Sequence, residues 1–126
     1  MTRFLDLESF VVELEAIGFV ARDLGLIHSA LERPSTTLMG KEAYPAIELK
    51  CAAQTESLAR NDSFYDGNKR IAWIALNHLL IINGYTLEFA EDEAFTYIHD
   101  VVSGSMRLDA SSEWIRERIR PIQPSP

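Results

Sequence analysis

The sequence predicts an all-α fold. Apolar residues recur at helical spacing in segment after segment, stretches that favour β structure are short and isolated, and Gly, Pro and Asn-Asp clusters fall between the periodic runs. Leu7, Phe10, Val11, Leu14 and Ile17 share one helical face, and Asp6 is placed to cap it. A second short helix fits LGLIHSALER, with Asp23 before it, Pro34 closing it, and Leu26, Ile27, Ala30 and Leu31 on its apolar side. Pro34 and Gly40 bracket a loop, PSTTLMGKEAY. Pro45 suits a first helical turn, where its missing N–H is no loss, so a third helix is predicted from Pro45 to Leu58.

The segment from Asn68 to Asn83 is apolar almost all round, stops at Asn83-Gly84, and is predicted to be the buried central helix of a compact bundle. Ala94, Phe95, Ile98, Val101 and Val102 mark a further helix ended by Ser103-Gly104, and Trp114, Ile115 and Ile119 a last one beginning after Asp109. Strand signals are confined to Tyr85–Phe89 and Ser35–Met39, enough for a small hairpin. With 126 residues, one domain over 1–120 is the natural reading, and PIQPSP at 121–126 reads as a flexible tail.

Twelve Lys and Arg stand against nineteen Asp and Glu, a net charge of −7. That balance repels polyanions and argues against nucleic acid or acidic membranes as partners, so any phosphate site must be local. The N-terminus lacks a signal-peptide apolar run, and Ile71–Ile82, broken by Asn77 and His78, is too short to span a bilayer. A cytoplasmic location is expected. Cys51 is the lone cysteine, which precludes an intramolecular disulfide and a cysteine metal set and reads as a buried, inert thiol.

One stretch resists a purely structural reading. NDSFYDGNKR at 61–70 opens the Asn68 helix with Lys69 and Arg70 in its first turn. A helix N-terminus carries unpaired N–H groups and partial positive charge, so cations there are normally unfavourable. Either DGNKR is a polar turn with solvated charges, or it is an anion site. In the second reading Gly67 lets the backbone approach a ligand, Asn68, Lys69 and Arg70 donate, and Asp66 holds a divalent cation bridging phosphate oxygens.

The same stretch resembles the signature of the Fic/Doc family, His-x-Phe-x-Asp-Gly-Asn-Lys-Arg in its Doc branch. It matches at Phe64, Asp66, Gly67, Asn68, Lys69 and Arg70. RDLGLIHSALERP, GKEAYP, NGY at 83–85 and VVSGSM resemble Doc-type proteins in the same order. The resemblance implies a Fic-type helical bundle with a flap at Ser35–Tyr44, which holds the target segment by main-chain pairing. It implies transfer of part of a nucleoside triphosphate to a protein hydroxyl. Lys69, where AMP-transferring Fic enzymes have Gly, favours the branch whose members phosphorylate a threonine of elongation factor Tu and so block translation.

By resemblance, ATP and Mg²⁺ are the expected cofactors and a separate Phd-like antitoxin the expected regulator. Asp66 takes part in metal and nucleotide binding, Gly67, Asn68, Lys69 and Arg70 cradle phosphates, and Phe64 anchors the loop. Asp62 departs from the pattern, because the family places its catalytic His there. An imidazole near pKa 6.5 accepts a proton at neutral pH far better than a carboxylate near 3.9. The expectation is therefore a Doc-type kinase impaired at position 62. AMP transfer and a non-catalytic module that binds the antitoxin or translation factor are the alternatives. A further alternative is that Asp62 itself accepts the hydroxyl proton, as a carboxylate does in protein kinases. His78 is read as a packed or hydrogen-bonded core residue, His28 and His99 as partly exposed, and Trp73 and Trp114 as packing or docking anchors. Arg60 and Asn61 either touch phosphate or target or merely end a helix.

Overall fold

A computed structural model describes residues 1–123. It contains α1 (Leu7–Ala16), α2 (Leu24–Glu32), a 3₁₀ turn (Arg33–Ser35), β1 (Thr37–Leu38), β2 (Lys41–Glu42), α3 (Ile47–Arg60), α4 (Asn68–Ile82), β3 (Tyr85–Leu87), α5 (Glu91–Ser103), α6 (Leu108–Arg118) and β4 (Ile119–Pro121). The mostly helical fold agrees with the sequence prediction. The strands form two antiparallel pairs, β1 with β2 and β3 with β4.

Local chemistry sets most boundaries. Asp6 and Asp23 cap α1 and α2 by accepting from the Ser9 and Leu26 N–H groups at 3.0 Å. Gly104, in the left-handed region at φ 84°, stops α5. Other ends differ from the prediction. The third helix starts at Ile47 and runs to Arg60, with Pro45 outside it, because Ala46 is extended and only the next residue turns helical. The last helix opens at Leu108, ahead of Asp109. Ile119 starts β4, whose pairing carries Pro121 opposite Tyr85, and Ile122 N–H donates to Gly84 O at 2.9 Å. Ordered pairing thus extends past residue 120 into the predicted tail, of which 124–126 lie outside the described residues.

The core also corrects which helix is central. α4 buries Ile71, Ala72, Ala75, Leu76, Leu79 and Leu80 but leaves Ile81 exposed and Trp73 and Ile74 only partly covered. It is α3 that packs against α2, the 3₁₀ turn, α4, α5 and α6. Its buried Cys51, Ala52, Ala53 and Ala59 are small enough for neighbouring helices to approach on several sides. Total burial of α4's Leu76 or Leu79 removes apolar surface worth about 1.5–3 kcal/mol each. Burial pushes the Cys51 thiol pKa up, consistent with an inert packing residue.

Aromatic rings tie α4 to the last two helices. Trp114 stacks on Tyr97 at 4.1 Å between centroids, and Trp73 meets both edge-on. The Arg118 guanidinium lies 4.1 Å over Trp114. His78 is not a packed core residue: it is partly exposed on α4, 3.8 Å from Glu13 of α1. Phe95, expected on the apolar face of its helix, is 74% exposed.

Candidate functional site

The loop from Asn61 to Gly67 joins α3 to α4 and is held from three sides. Asn61 Oδ1 accepts from Ser63 N–H at 3.2 Å while its amide donates to Leu26 O at 3.1 Å. The Asx turn this makes leaves Asp62 at φ 50°, a left-handed conformation that Asp, Asn and His tolerate better than other side chains. The extended segment Val20–Asp23 clasps the other edge. Arg22 and Asp23 N–H groups donate to Ser63 O, Tyr65 N–H donates to Val20 O, and Arg22 Nε reaches Asp62 O at 2.7 Å. Phe64, 1% exposed, is driven into the core edge-on to Phe10.

At the far end of the loop, Asn68 closes a ring with Phe64. Its Oδ1 accepts from Phe64 N–H at 3.1 Å and its Nδ2 donates to Phe64 O at 2.9 Å. The side chain expected to donate to phosphate is thus already engaged in shaping the loop, and of Asn68 the main-chain N–H is the donor left without an acceptor among the described residues. Gly67 is also explained differently. It sits at φ 77°, and an added Cβ would come within 2.4 Å of the Phe19 ring. The glycine is demanded by backbone conformation and by Phe19 packed beneath it, whether or not a ligand approaches from above.

Asp62, Tyr65, Asp66, Gly67, Asn68 and Lys69 line one concavity of about 320 Å³, walled by Ala59 and Val102. Gly67 caps α4 with no side-chain bond, and the Asn68, Lys69 and Arg70 N–H groups find no acceptor among the described residues. Asp66 Oδ1 accepts from Gly67 N–H at 2.8 Å, and its other carboxylate oxygen has no partner among the described residues. Lys69 and Arg70 are exposed and form no ion pair among those residues. Arg70 does not line the concavity. It faces an adjoining groove of about 300 Å³ with Trp73, Ala94, Phe95, Ile98 and His99, a groove that Lys69 shares.

This arrangement suits an anion coordinated by main-chain N–H groups and lysine, beside a carboxylate with capacity for a metal. Among the described residues no three His, Cys, Asp or Glu cluster to hold a metal unaided. A cation held mainly by the ligand's own oxygens, with Asp66 as a single protein anchor, fits that donor set.

Sequence reasoning missed Phe19 and Arg22, which become part of the site only when residues 20–23 pair with 63–65. It also left the role of Asn61 open. Arg60 is exposed and lines, with Asn61, a separate groove of about 760 Å³ that runs between α2 and α3.

Residues 4–80 match the sequence model of the Fic/DOC family. Over 116 residues the chain is 40% identical to a Toxin Doc of Mycolicibacterium smegmatis, covering 87% of this chain and 88% of that protein. The family match spans α1 to most of α4 and so includes the 20–23 segment, the β1–β2 hairpin and the whole loop at 61–70. This chain belongs to the Fic/DOC family.

Proposed function

We propose that the chain is the toxin of a toxin–antitoxin pair, built to transfer the γ-phosphoryl group of ATP to a threonine of elongation factor Tu in the cytoplasm and weakened by Asp62. The observation that carries this reading is the start of α4: among the described residues, three N–H groups have no acceptor and two cations no ion pair, in a helix with no acid in its first turn. Lys69, the residue that favours phosphate over AMP transfer by family resemblance, lines the concavity beside Asp62 and Asp66.

The roles follow from the donors. Main-chain N–H groups of Asn68–Arg70 and the Lys69 ammonium bind the triphosphate and offset charge that develops on it, which is most of what phosphoryl transfer asks of a protein. Mg²⁺, with Asp66 as its protein ligand, would supply further neutralisation of the phosphate oxygens. As the bond from the acceptor oxygen to phosphorus forms and the bond to ADP breaks, the hydroxyl proton leaves to the group at position 62. A carboxylate does this poorly at neutral pH, and its charge opposes the triphosphate, so the rate falls by about two to four powers of ten relative to a positioned imidazole.

The test is Asp62→His. The backbone at φ 50° is one histidine also adopts, so the loop should keep its shape. Purified variant incubated with Mg-ATP and elongation factor Tu should add a phosphate detectable by mass spectrometry, and its expression should arrest growth. An added AMP would instead identify a nucleotidyl transferase. Failure of the restored protein to take up Mg-ATP by calorimetry would overturn the phosphate-site reading. A second reading, a binding module without chemistry, is favoured by Asp62 itself; it predicts antitoxin capture by this chain with no transfer after the histidine is restored.

A further inference from the structure

Lys50 is 1% exposed, the one basic side chain among the buried residues of α3, which are otherwise Ala, Cys and Leu with Gln54 and Thr55. A buried ammonium costs several kcal/mol unless its donors are met. Here all three are used on one target, the chain leading out of the flap. Nζ donates to Glu42 Oε1 at 3.0 Å, to Tyr44 O, and to Pro45 O at 3.4 Å. A second cation approaches the same residue from the opposite leg. Arg33 Nε donates to Tyr44 Oη at 3.1 Å, and its Nη1 is seated on α3 through Ala53 O, Glu56 Oε1 and Ser57 Oγ at 3.0–3.1 Å. The Arg33 carbonyl in turn receives the Thr36 N–H and hydroxyl, and Ala43 N–H closes onto Thr36 O.

Both legs of the β1–β2 hairpin are therefore tied to α3 through two charged side chains that meet at Tyr44. α3 ends at Arg60, where the loop bearing Asp62 begins. Lys50 sits ten residues before that end, roughly 15 Å along the axis, so flap and concavity are mounted on one rigid rod. The hairpin has little else to hold it: β1 and β2 are two residues each and wholly exposed. Such a ribbon is marginal alone.

We propose that Lys50 and Arg33 are positioning residues that clamp Tyr44 and set the attitude of the flap toward the Asp62–Lys69 concavity, thereby governing capture of the protein acceptor and not of the nucleotide. This rests on the functional reading above. An extended acceptor segment pairing with a flap edge is held at the distance the clamp sets, whereas the nucleotide's donors belong to α4 and touch neither cation.

Two measurements decide it. In the chain as it stands, Lys50→Met should speed amide exchange at Ala43 and across the hairpin by about tenfold or more, with the amides that pair the 20–23 and 63–65 segments unchanged. Unchanged hairpin exchange overturns the clamp. Should Lys50→Met not fold, Glu42→Gln, on an exposed side chain, carries the same exchange test with a smaller shift in the same direction. In an Asp62→His background, Lys50→Met should raise KM for elongation factor Tu by about ten- to a hundredfold with Mg-ATP affinity within about twofold, and Lys50→Arg should recover part of it. A loosened hairpin with unaltered acceptor KM overturns the acceptor role. A silent Asp62→His parent strikes the functional reading and the acceptor half with it, while the exchange result still judges the clamp.

Discussion

The N-termini of α4 and α5 begin alike and diverge in charge. Neither has a side-chain cap, but α5 opens with Glu91, Asp92 and Glu93 and α4 with Lys69 and Arg70. The acids complement the positive end of the α5 dipole, so that helix is electrostatically complete in isolation. The α4 terminus carries two cations and, among the described residues, three N–H groups without acceptors, with Lys69 on the concavity and Arg70 on the adjoining groove, so its charges oppose its own dipole. Stability accounts for the first terminus; for the second, the proposed anion site is the account. α1, with Asp6 at its cap and Glu8 in its first turn, sides with α5.

This contrast can be tested at several strengths. The largest effect expected is on rate: Asp62→His places a base beside the loaded α4 terminus and should raise transfer by about two to four powers of ten, measured as phosphate incorporated per unit time. Next is Gly67→Ala, which forces a Cβ into a left-handed residue and against Phe19; it should cost roughly 2 to 5 kcal/mol in urea denaturation and remove Mg-ATP uptake. Lys69→Glu sharpens the comparison most directly. It should stabilise the ligand-free protein by about 0.3–1 kcal/mol while abolishing Mg-ATP binding by calorimetry, whereas Glu91→Lys should destabilise by a similar amount and leave binding intact. Loss of stability in Lys69→Glu would mean the lysine serves the fold, and the contrast would fail.

The smallest effect concerns the ordinary ends. The Ser9 main-chain N–H, and then its hydroxyl, hold the Asp6 carboxyl below its usual 3.8. A depressed folded-state pKa adds stability that is present above 3.8 and disappears as pH falls through the folded value. The gap in melting temperature between the native chain and Asp6→Asn should therefore be open at pH 7 and close toward pH 3.

Much of this was legible in the chain itself. The helical periods, the aspartate caps at Asp6 and Asp23 and the Gly104 stop all follow from interactions spanning four residues or fewer, which a linear reading can see. The unusual charge at the start of α4 was legible for the same reason, since Lys69 and Arg70 contradict their own helix within a single turn. Less visible was the central helix. α4 is the greasier segment, but α3, which carries Lys50, Gln54 and Thr55, is the more enclosed, because small residues admit neighbours on every side and hydropathy does not measure that.

The sequence alone determined the class of fold, the family and the α4 terminus whose cations oppose its dipole, because propensity, capping and charge against a dipole act over one or two turns. Tertiary structure decided everything that depends on distant partners. Phe19 beneath Gly67, Arg22 on the Asp62 carbonyl, the Asn68 side chain turned inward to Phe64 and the parting of Arg70 from the concavity are of this kind. So is the meeting of Lys50 and Arg33 at Tyr44, since a buried cation is stable only where the folded chain brings acceptors to it.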